Sequence, residues 1–253
     1  MKAGLDLGTT LIKICYKKNK KYYFKSFNYQ EMNKLIKLLK KEKIDEANIV
    51  GINKLPKQLN FLKIKPKRGL SSPSNLIDTE IKTQVRGLKK ISRLPQDMLV
   101  VSIGTGTSYT RVNKNRIKKI ELGNSLGGGF ILGLAKLLKY ENWDVLTSKA
   151  KKGDHKNVDI YYKDLIVSNL GNLTKSSSKN DIAAGIMHTV AVMIWTDIMN
   201  ISQDKNIVII GGSLNNNFCL QKLLKNYLTK SKRQVYFIKN GEFASSLGAL
   251  LSY

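Results

Sequence analysis

A short strand that runs into a glycine–threonine bend and returns as a second strand occurs twice in this chain. That repetition limits the possible folds more than any other feature. In residues 3–16, Ala3-Gly4-Leu5-Asp6-Leu7 meets Gly8-Thr9-Thr10 and is followed by Leu11-Ile12-Lys13-Ile14-Cys15-Tyr16. In residues 99–120, the apolar run ending at Ile103 meets Gly104-Thr105-Gly106-Thr107-Ser108, and Tyr109–Val112 begins the return. Strand-forming runs around a Gly-containing bend read as β-hairpins. Matching bends at matching places read as an internal repeat.

Helices follow each hairpin. Residues 29–43 place Met32, Leu35, Ile36, Leu38 and Leu39 near helical spacing, and 79–92 place Ile81, Val85, Leu88 and Ile91 on one face. Between them, 53–75 holds three of the four prolines and many lysines, which predicts a loop or lid. In the second half, Phe130–Leu138, 143–150, 158–167, 181–201, 216–229 and 244–251 read as helices. Ile117–Leu122, Ile207–Ile210 and Gln234–Ile238 read as strands. The expected organisation is an N-terminal lobe over 1–95 and a C-terminal lobe over 96–253, each near the size of a small domain.

Composition excludes several classes. At 42% hydrophobic and 25% charged, the chain is globular rather than disordered. Cys15 and Cys219 cannot form a disulfide framework. His155 and His188 stand 33 residues apart, so no helical histidine pair for zinc is expected. No unbroken run reaches the ~20 apolar residues that span a bilayer, and no leader precedes Ala3, so a cytoplasmic protein is expected. The net charge is +26, yet only six of the 44 basic residues are arginine. Scattered lysine is a poor nucleic-acid reader, so no specific nucleic-acid or membrane partner is expected. The charge would still steer anionic ligands inward.

Four segments offer what a phosphate needs: close backbone approach and hydroxyl or amide donors. They are Asp6–Thr10, Gly104–Ser108, Gly127-Gly128-Gly129 opening an apolar helix, and Gly211-Gly212-Ser213 after a buried strand. Asp6, at a strand end, can hold a magnesium-bound water, and Lys13 can reach back to a phosphate. A helix N-terminus adds unpaired N–H groups and a positive dipole end. Each segment alone also reads as a plain turn. None has the spacing of a P-loop or of a dinucleotide fingerprint. Together they predict a nucleotide held between two lobes.

The same residues carry a family resemblance. Asp6-Leu7-Gly8-Thr9-Thr10-Leu11-Ile12-Lys13-Ile14 resembles the opening phosphate loop of the type II (eukaryotic-like) pantothenate kinases, members of the actin and sugar kinase superfamily. Ser102–Ser108 resembles their second phosphate segment, and Gly123-Asn124-Ser125-Leu126-Gly127-Gly128-Gly129 their glycine-rich loop. Residues 153–159, 181–184, 211–216 and 240–250 are similar to four further segments. The resemblance covers most of 1–16 and 79–253.

It implies an α/β, two-lobed, actin-like (ribonuclease H-like) ATPase fold with duplicated hairpin-containing sheets. It further implies ATP-dependent phosphorylation of pantothenate, the first step of coenzyme A biosynthesis, with Mg²⁺. The family's base is a Glu just before a first-lobe helix, and Glu80 sits at the matching place; helix capping is the other reading of that residue. A hydroxyl attacking a γ-phosphate needs such a carboxylate.

Carried over, Asp6 serves the metal, and Gly8, Thr9, Thr10 and Lys13 the phosphates. Gly104, Thr105, Gly106, Gly127, Gly128, Gly129, Phe130, Gly212 and Ser213 line the nucleotide. Thr105 and Ser108 lie toward the substrate. Trp143 is near the family's adenine-side aromatic, or is simply a packed helix residue. The family's substrate-binding Arg falls on Ile120, which leaves Lys119 as the nearby cation. Both departures, this one and Gly51-Ile52-Asn53-Lys54 in place of a Gly-rich segment, touch the acceptor side. A kinase of another hydroxyl substrate such as an amino sugar, or a non-catalytic ATP-binding relative, therefore remains open. A homodimer is implied, with 181–201 as the interface helix.

Overall fold

The computed structural model describes residues 1–51, 53–64, 73–114 and 116–252, with backbone alone at 73–78. The chain forms two compact units. Residues 1–96 with 116–119 and 238–252 make the first, and 97–114 with 120–237 make the second.

The first unit is a five-stranded sheet with helices. Strands β1 (Lys2–Leu7), β2 (Leu11–Lys18) and β3 (Lys21–Asn28) form an antiparallel meander, and β4 (Glu46–Val50) and β5 (Lys63–Ile64) add parallel on the other side of β1. The order is β3-β2-β1-β4-β5. Leu5, Leu7, Ile12 and Ile14 are fully buried, as alternation around the bend requires. Helix α1 (Met32–Lys41) buries Met32, Leu35 and Leu39, a 3-4 spacing that gives one apolar stripe. Helix α2 spans Pro73–Ile91, six residues earlier than the apolar pattern predicts. The expected loop at 53–75 contains a short 3₁₀ turn at 57–59 and β5, and its residues 65–72 lie outside the described set.

The second unit repeats the plan. Strands β6 (Asp97–Ile103) and β7 (Thr107–Asn113) pair antiparallel, with β8 (Arg116–Asn124) beside β7. Two more strands complete the sheet as β12-β11-β6-β7-β8: β11 (Asn206–Ile210), parallel to β6, and β12 (Gln234–Phe237), parallel to β11. A three-stranded meander extended by two parallel strands therefore occurs twice, as the paired hairpins predict. Helices α3 (Gly128–Leu137), α4 (Trp143–Lys152), α5 (Lys179–Ile201) and α6 (Phe218–Lys230) cover this sheet.

Three expectations need correction. Residues 158–167 are not helical. They form β9 (Ile160–Tyr162) and β10 (Leu165–Ser168), a separate two-stranded hairpin. Two short apolar runs, Ile160–Tyr162 and Leu165–Val167, parted by Lys163-Asp164, fit a hairpin better than a helix. Helix α5 is long and apolar enough to cross a membrane by length and composition. His188, Thr189, Thr196 and Asp197 interrupt its apolar run, so a search for unbroken runs passes over it; ten of its residues are buried in the second unit. Finally, α7 (Ala244–Leu250) belongs with the first unit, although it follows the second in the chain.

Close backbone contact explains that last placement. A β-carbon added to Gly4 on β1 would fall inside contact with Ser246 O of α7, one on Gly87 of α2 would strike Ala244 O, and one on Gly248 would strike Thr83 O. Only glycine permits helix and strand backbones to approach so closely. The Asn48 side chain donates to Ala249 O at 2.7 Å and ties α7 to β4 as well.

Candidate active site

In the first unit the bend after β1 is held from several sides. Asp6 and Lys13 are paired across β1 and β2, and Lys13 Nζ lies 3.4 Å from Asp6 Oδ2. Burial raises the Asp6 pKa above the usual carboxylate value, and Lys13 opposes that rise. Gly8 N–H donates to Leu11 O at 3.1 Å, closing the bend. The Gly8 carbonyl accepts from Tyr29 Oη and from Asn53 Nδ2, each at 2.8 Å. Thr9 and Thr10 stand exposed at the tip. Tyr29 belongs to no motif, whereas Asn53 lies in the Gly51–Lys54 segment that departs from the family pattern.

In the second unit two loops are stitched together. Gly104 N–H donates to Gly106 O, Gly128 N–H to Gly104 O and Gly129 N–H to Thr105 O, each at 2.8 Å. Ser213 Oγ also donates to Gly104 O, at 2.9 Å. Gly104, Thr105, Gly106, Gly127, Gly128, Gly129 and Ser213 are thus brought into one small region. The expectation of unpaired amides at the start of α3 is corrected at Gly128 and Gly129, whose N–H groups already have carbonyl partners.

The glycine triplet likewise has a packing reason. A β-carbon would stand 2.8 Å from Thr105 O at Gly127, 2.5 Å from Ser213 Oγ at Gly128 and 2.8 Å from Thr105 Cγ2 at Gly129. Gly212 and Gly104 differ. Among the described residues nothing lies within 4 Å of a β-carbon at Gly212, and only Gly106 O, at 3.8 Å, at Gly104. Those two positions leave room for another molecule to approach the backbone.

The two units share a further device. Gly51, directly after β4, has φ +101°, and a β-carbon there would lie 2.5 Å from Leu7 O. Gly211, directly after β11, has φ +119°, and a β-carbon there would strike Ile103 O. Each glycine presses against the last residue of the strand that enters the candidate phosphate bend. The signal was present in Asn48-Ile49-Val50-Gly51 and Asn206-Ile207-Val208-Ile209-Ile210-Gly211.

Glu80 lies within α2 rather than before it, so it does not cap the helix. Phe130 is in the first turn of α3. Trp143 opens α4, and its indole N–H donates to Asn215 O at 2.9 Å, tying α4 to the turn after β11. Ser108 pairs with Ser102 across β6 and β7. Ile120 packs against the second core, while its neighbour Lys119 is exposed.

A cluster outside these segments was hidden by sequence distance. The chain's two histidines meet at one buried carboxylate: His188 Nδ1 is 2.6 Å and His155 Nδ1 3.2 Å from Asp159 Oδ2. Their rings stack with centroids 3.7 Å apart. Leu170 N–H donates to Asp159 Oδ1 at 2.7 Å. Although 33 residues separate them, α5 brings His188 back over the 155–159 segment. These hydrogen bonds hold the Asp159 carboxyl well below the usual carboxylate range, against the opposing effect of burial.

The paired sheets and paired bends define an actin-like, sugar-kinase-type ATPase fold. Solved structures agree. The activator of 2-hydroxyisocaproyl-CoA dehydratase from Clostridium difficile with bound ADPNP matches with TM-score 0.68 at 17% identity, over 99% of this chain and 92% of that one. A ROK family glucokinase from Streptomyces griseus in complex with glucose and AMPPNP matches with TM-score 0.56 at 10% identity, over 98% and 97%. The family described as Fumble matches residues 76–184. A type II pantothenate kinase of Oceanobacillus iheyensis is 31% identical over 273 residues, covering 98% of each chain. One from Staphylococcus aureus is 26% identical over 99% of this chain and 98% of its own. The chain belongs to the type II pantothenate kinase family.

Proposed function

We propose that this protein transfers the γ-phosphoryl group of ATP to the primary hydroxyl of pantothenate, giving 4′-phosphopantothenate for coenzyme A synthesis. The observation that carries the reading is the similarity to pantothenate kinases over 98% of each chain, supported by two glycine–threonine bends, each braced by hydrogen bonds. Open space at the Gly104 and Gly212 backbones, and a buried carboxylate with a lysine partner at Asp6 and Lys13, fit a nucleotide and its magnesium ion. Bound Mg-ATP supplies the phosphoryl group and charge neutralisation.

The chain's own residues do the rest. Glu80 accepts the hydroxyl proton as the nucleophile forms. Asp6 holds a magnesium-bound water. Lys13, released from Asp6, offsets phosphate charge, with hydroxyls from Thr9 and Thr10. Gly104 and Gly212 let phosphate oxygens reach the backbone, and Gly8, Thr105 and Gly106 line the phosphates. Gly127, Gly128 and Gly129 shape that site by holding their loop against Gly104 and Thr105. Ser213 fixes the Gly104 carbonyl, and Phe130 and Trp143 flank the nucleotide. Thr105, Ser108 and Lys119 serve the acceptor. With Ile120 committed to the core, Lys119 is the cation for the substrate carboxylate, though without the bidentate fork of an arginine. The working form is a cytoplasmic homodimer.

The test is ATP consumption with a panel of pantothenate and amino sugars, using wild type and Glu80→Gln. Pantothenate-dependent turnover that falls by ~10²–10⁴ in the variant, with nucleotide binding kept, is expected of a lost general base. Turnover that follows an amino sugar instead would overturn the acceptor, and an active Glu80→Gln would overturn the base.

A further inference from the structure

Two residues before α3 begins, the peptide of Leu126 is gripped at both ends. Its carbonyl accepts from Thr107 Oγ1 at 2.8 Å, and its N–H donates to Asn124 Oδ1 at 2.7 Å. The other end of the Asn124 amide donates from Nδ2 to Asp197 Oδ2 at 2.7 Å. The same oxygen accepts from Tyr109 Oη at 2.6 Å. Tyr109 is fully buried on β7, and Asp197 is on α5. The chain of contacts therefore runs from the sheet, through the long core helix, into the loop that ends at Gly127.

Its polarity is fixed by chemistry. A carboxylate only accepts, so the Asn124 atom facing Asp197 must be the NH₂ group, and the carbonyl is then the end that faces Leu126 N–H. Both bonds to Asp197 are short and charge-assisted. Without Asp197 the amide can turn over and present a donor to another donor.

We propose that Asp197 is a positioning residue for the phosphate loop, acting through Asn124 to hold the Leu126 peptide and so the approach of Gly127–Gly129 to Gly104 and Thr105. Asp197 itself touches no substrate. The inference deepens the kinase reading and rests on it only for its effect on ATP.

The polarity makes a swap experiment possible. Asn124→Asp sets two carboxylates against each other. Asn124→Asp combined with Asp197→Asn restores the contact between positions 124 and 197 and the hold on Leu126 N–H, with the charge moved one place and the Tyr109 bond reversed. One oxygen of the carboxylate introduced at position 124 accepts from Leu126 N–H. Its second oxygen accepts from the NH₂ introduced at position 197, which takes the place of Asp197 Oδ2, so the other N–H of that group donates to Tyr109 Oη and the tyrosine bond is reversed. Amide hydrogen exchange at Leu126 and the KM for ATP are measured in wild type, both single variants and the double variant. Expected in Asn124→Asp is at least about tenfold faster Leu126 exchange and about tenfold higher KM for ATP, the size of one lost charge-assisted hydrogen bond. Expected in the double variant is recovery of both to within about threefold of wild type, since opposed changes at one contact cancel. A double variant no better than Asn124→Asp alone overturns the proposal, as does unchanged Leu126 exchange in the single variants. Should wild type bind no ATP, the kinase reading fails, while the exchange result still judges the tether.

Discussion

Replacing Gly87 by alanine reverses the usual sign of a glycine substitution. Within a helix such as α2, Gly→Ala ordinarily stabilises by about 0.5–1 kcal/mol. Here the new β-carbon would fall inside contact with Ala244 O and lie 2.8 Å from Ala244 C, both α7 backbone atoms that no rotamer change can move. Separating two packed helices to admit a methyl group costs about 1–3 kcal/mol. Set against the propensity gain, the net loss spans about 0–2.5 kcal/mol and centres on ~1 kcal/mol, or roughly 2–4 °C in Tm for a chain of this size.

Gly133→Ala on α3 is the control, because among the described residues nothing lies within 4 Å of its β-carbon. There the propensity term stands alone and Tm should rise by about 1–4 °C. Thermal unfolding followed by circular dichroism checks both. Because Thr83, which Gly248 meets, is one turn beyond Glu80 on α2, Gly87→Ala should also lower kcat. A Gly87→Ala protein as stable as wild type would refute the claim that α2 and α7 meet backbone to backbone.

Two further outcomes follow from buried ionisable groups. Asp159→Asn removes the carboxylate that both histidines share and should cost about 3 kcal/mol, as loss of a buried charged partner does; denaturant unfolding measures it. The folded Asp159 pKa lies below the unfolded value, so its stabilisation is present above ~pH 4 and is lost as pH falls further. An Asp159→Asn protein should therefore have a flatter acid limb than wild type. Burial pushes the Cys15 thiol up to about 12 and Cys219 up to about 11. Raised thiol pKa values contribute stability below the unfolded value of ~8.5 that is lost as pH rises toward the folded values. Alkaline titration of stability should show that decline, and Cys15→Ser should reduce it.

The duplicated architecture was legible because each copy announces itself locally: alternating apolar residues on either side of Gly8-Thr9-Thr10 and of Gly104–Ser108. The glycine-rich segments were legible as a set, but not the reason for each glycine. Gly127, Gly128 and Gly129 read as room for a ligand, whereas their β-carbon space is filled by Thr105, Gly106 and Ser213. Gly104 and Gly212, no different on paper, are the ones left open. The distinction is tertiary, since it depends on which loop a backbone meets. The meeting of His155, Asp159 and His188, and the Asn124–Asp197 contact, depend on how α5 folds back over the second sheet. No spacing rule carries that information. Placing 158–167 in a helix failed on period, because exposed Ile160, Tyr162, Leu165 and Val167 alternate as a strand does.

The seat of α7 bears on how the chain is made. The residues that fill the back of β1 are translated after the whole second unit. While the ribosome is still at work, the first sheet has an uncovered strip along Gly4 and a helix α2 with no neighbour at Gly87. Ordering on the ribosome therefore runs against sequence order: the 97–237 portion can finish first, and the amino-terminal portion waits for the stretch that begins at Ile238.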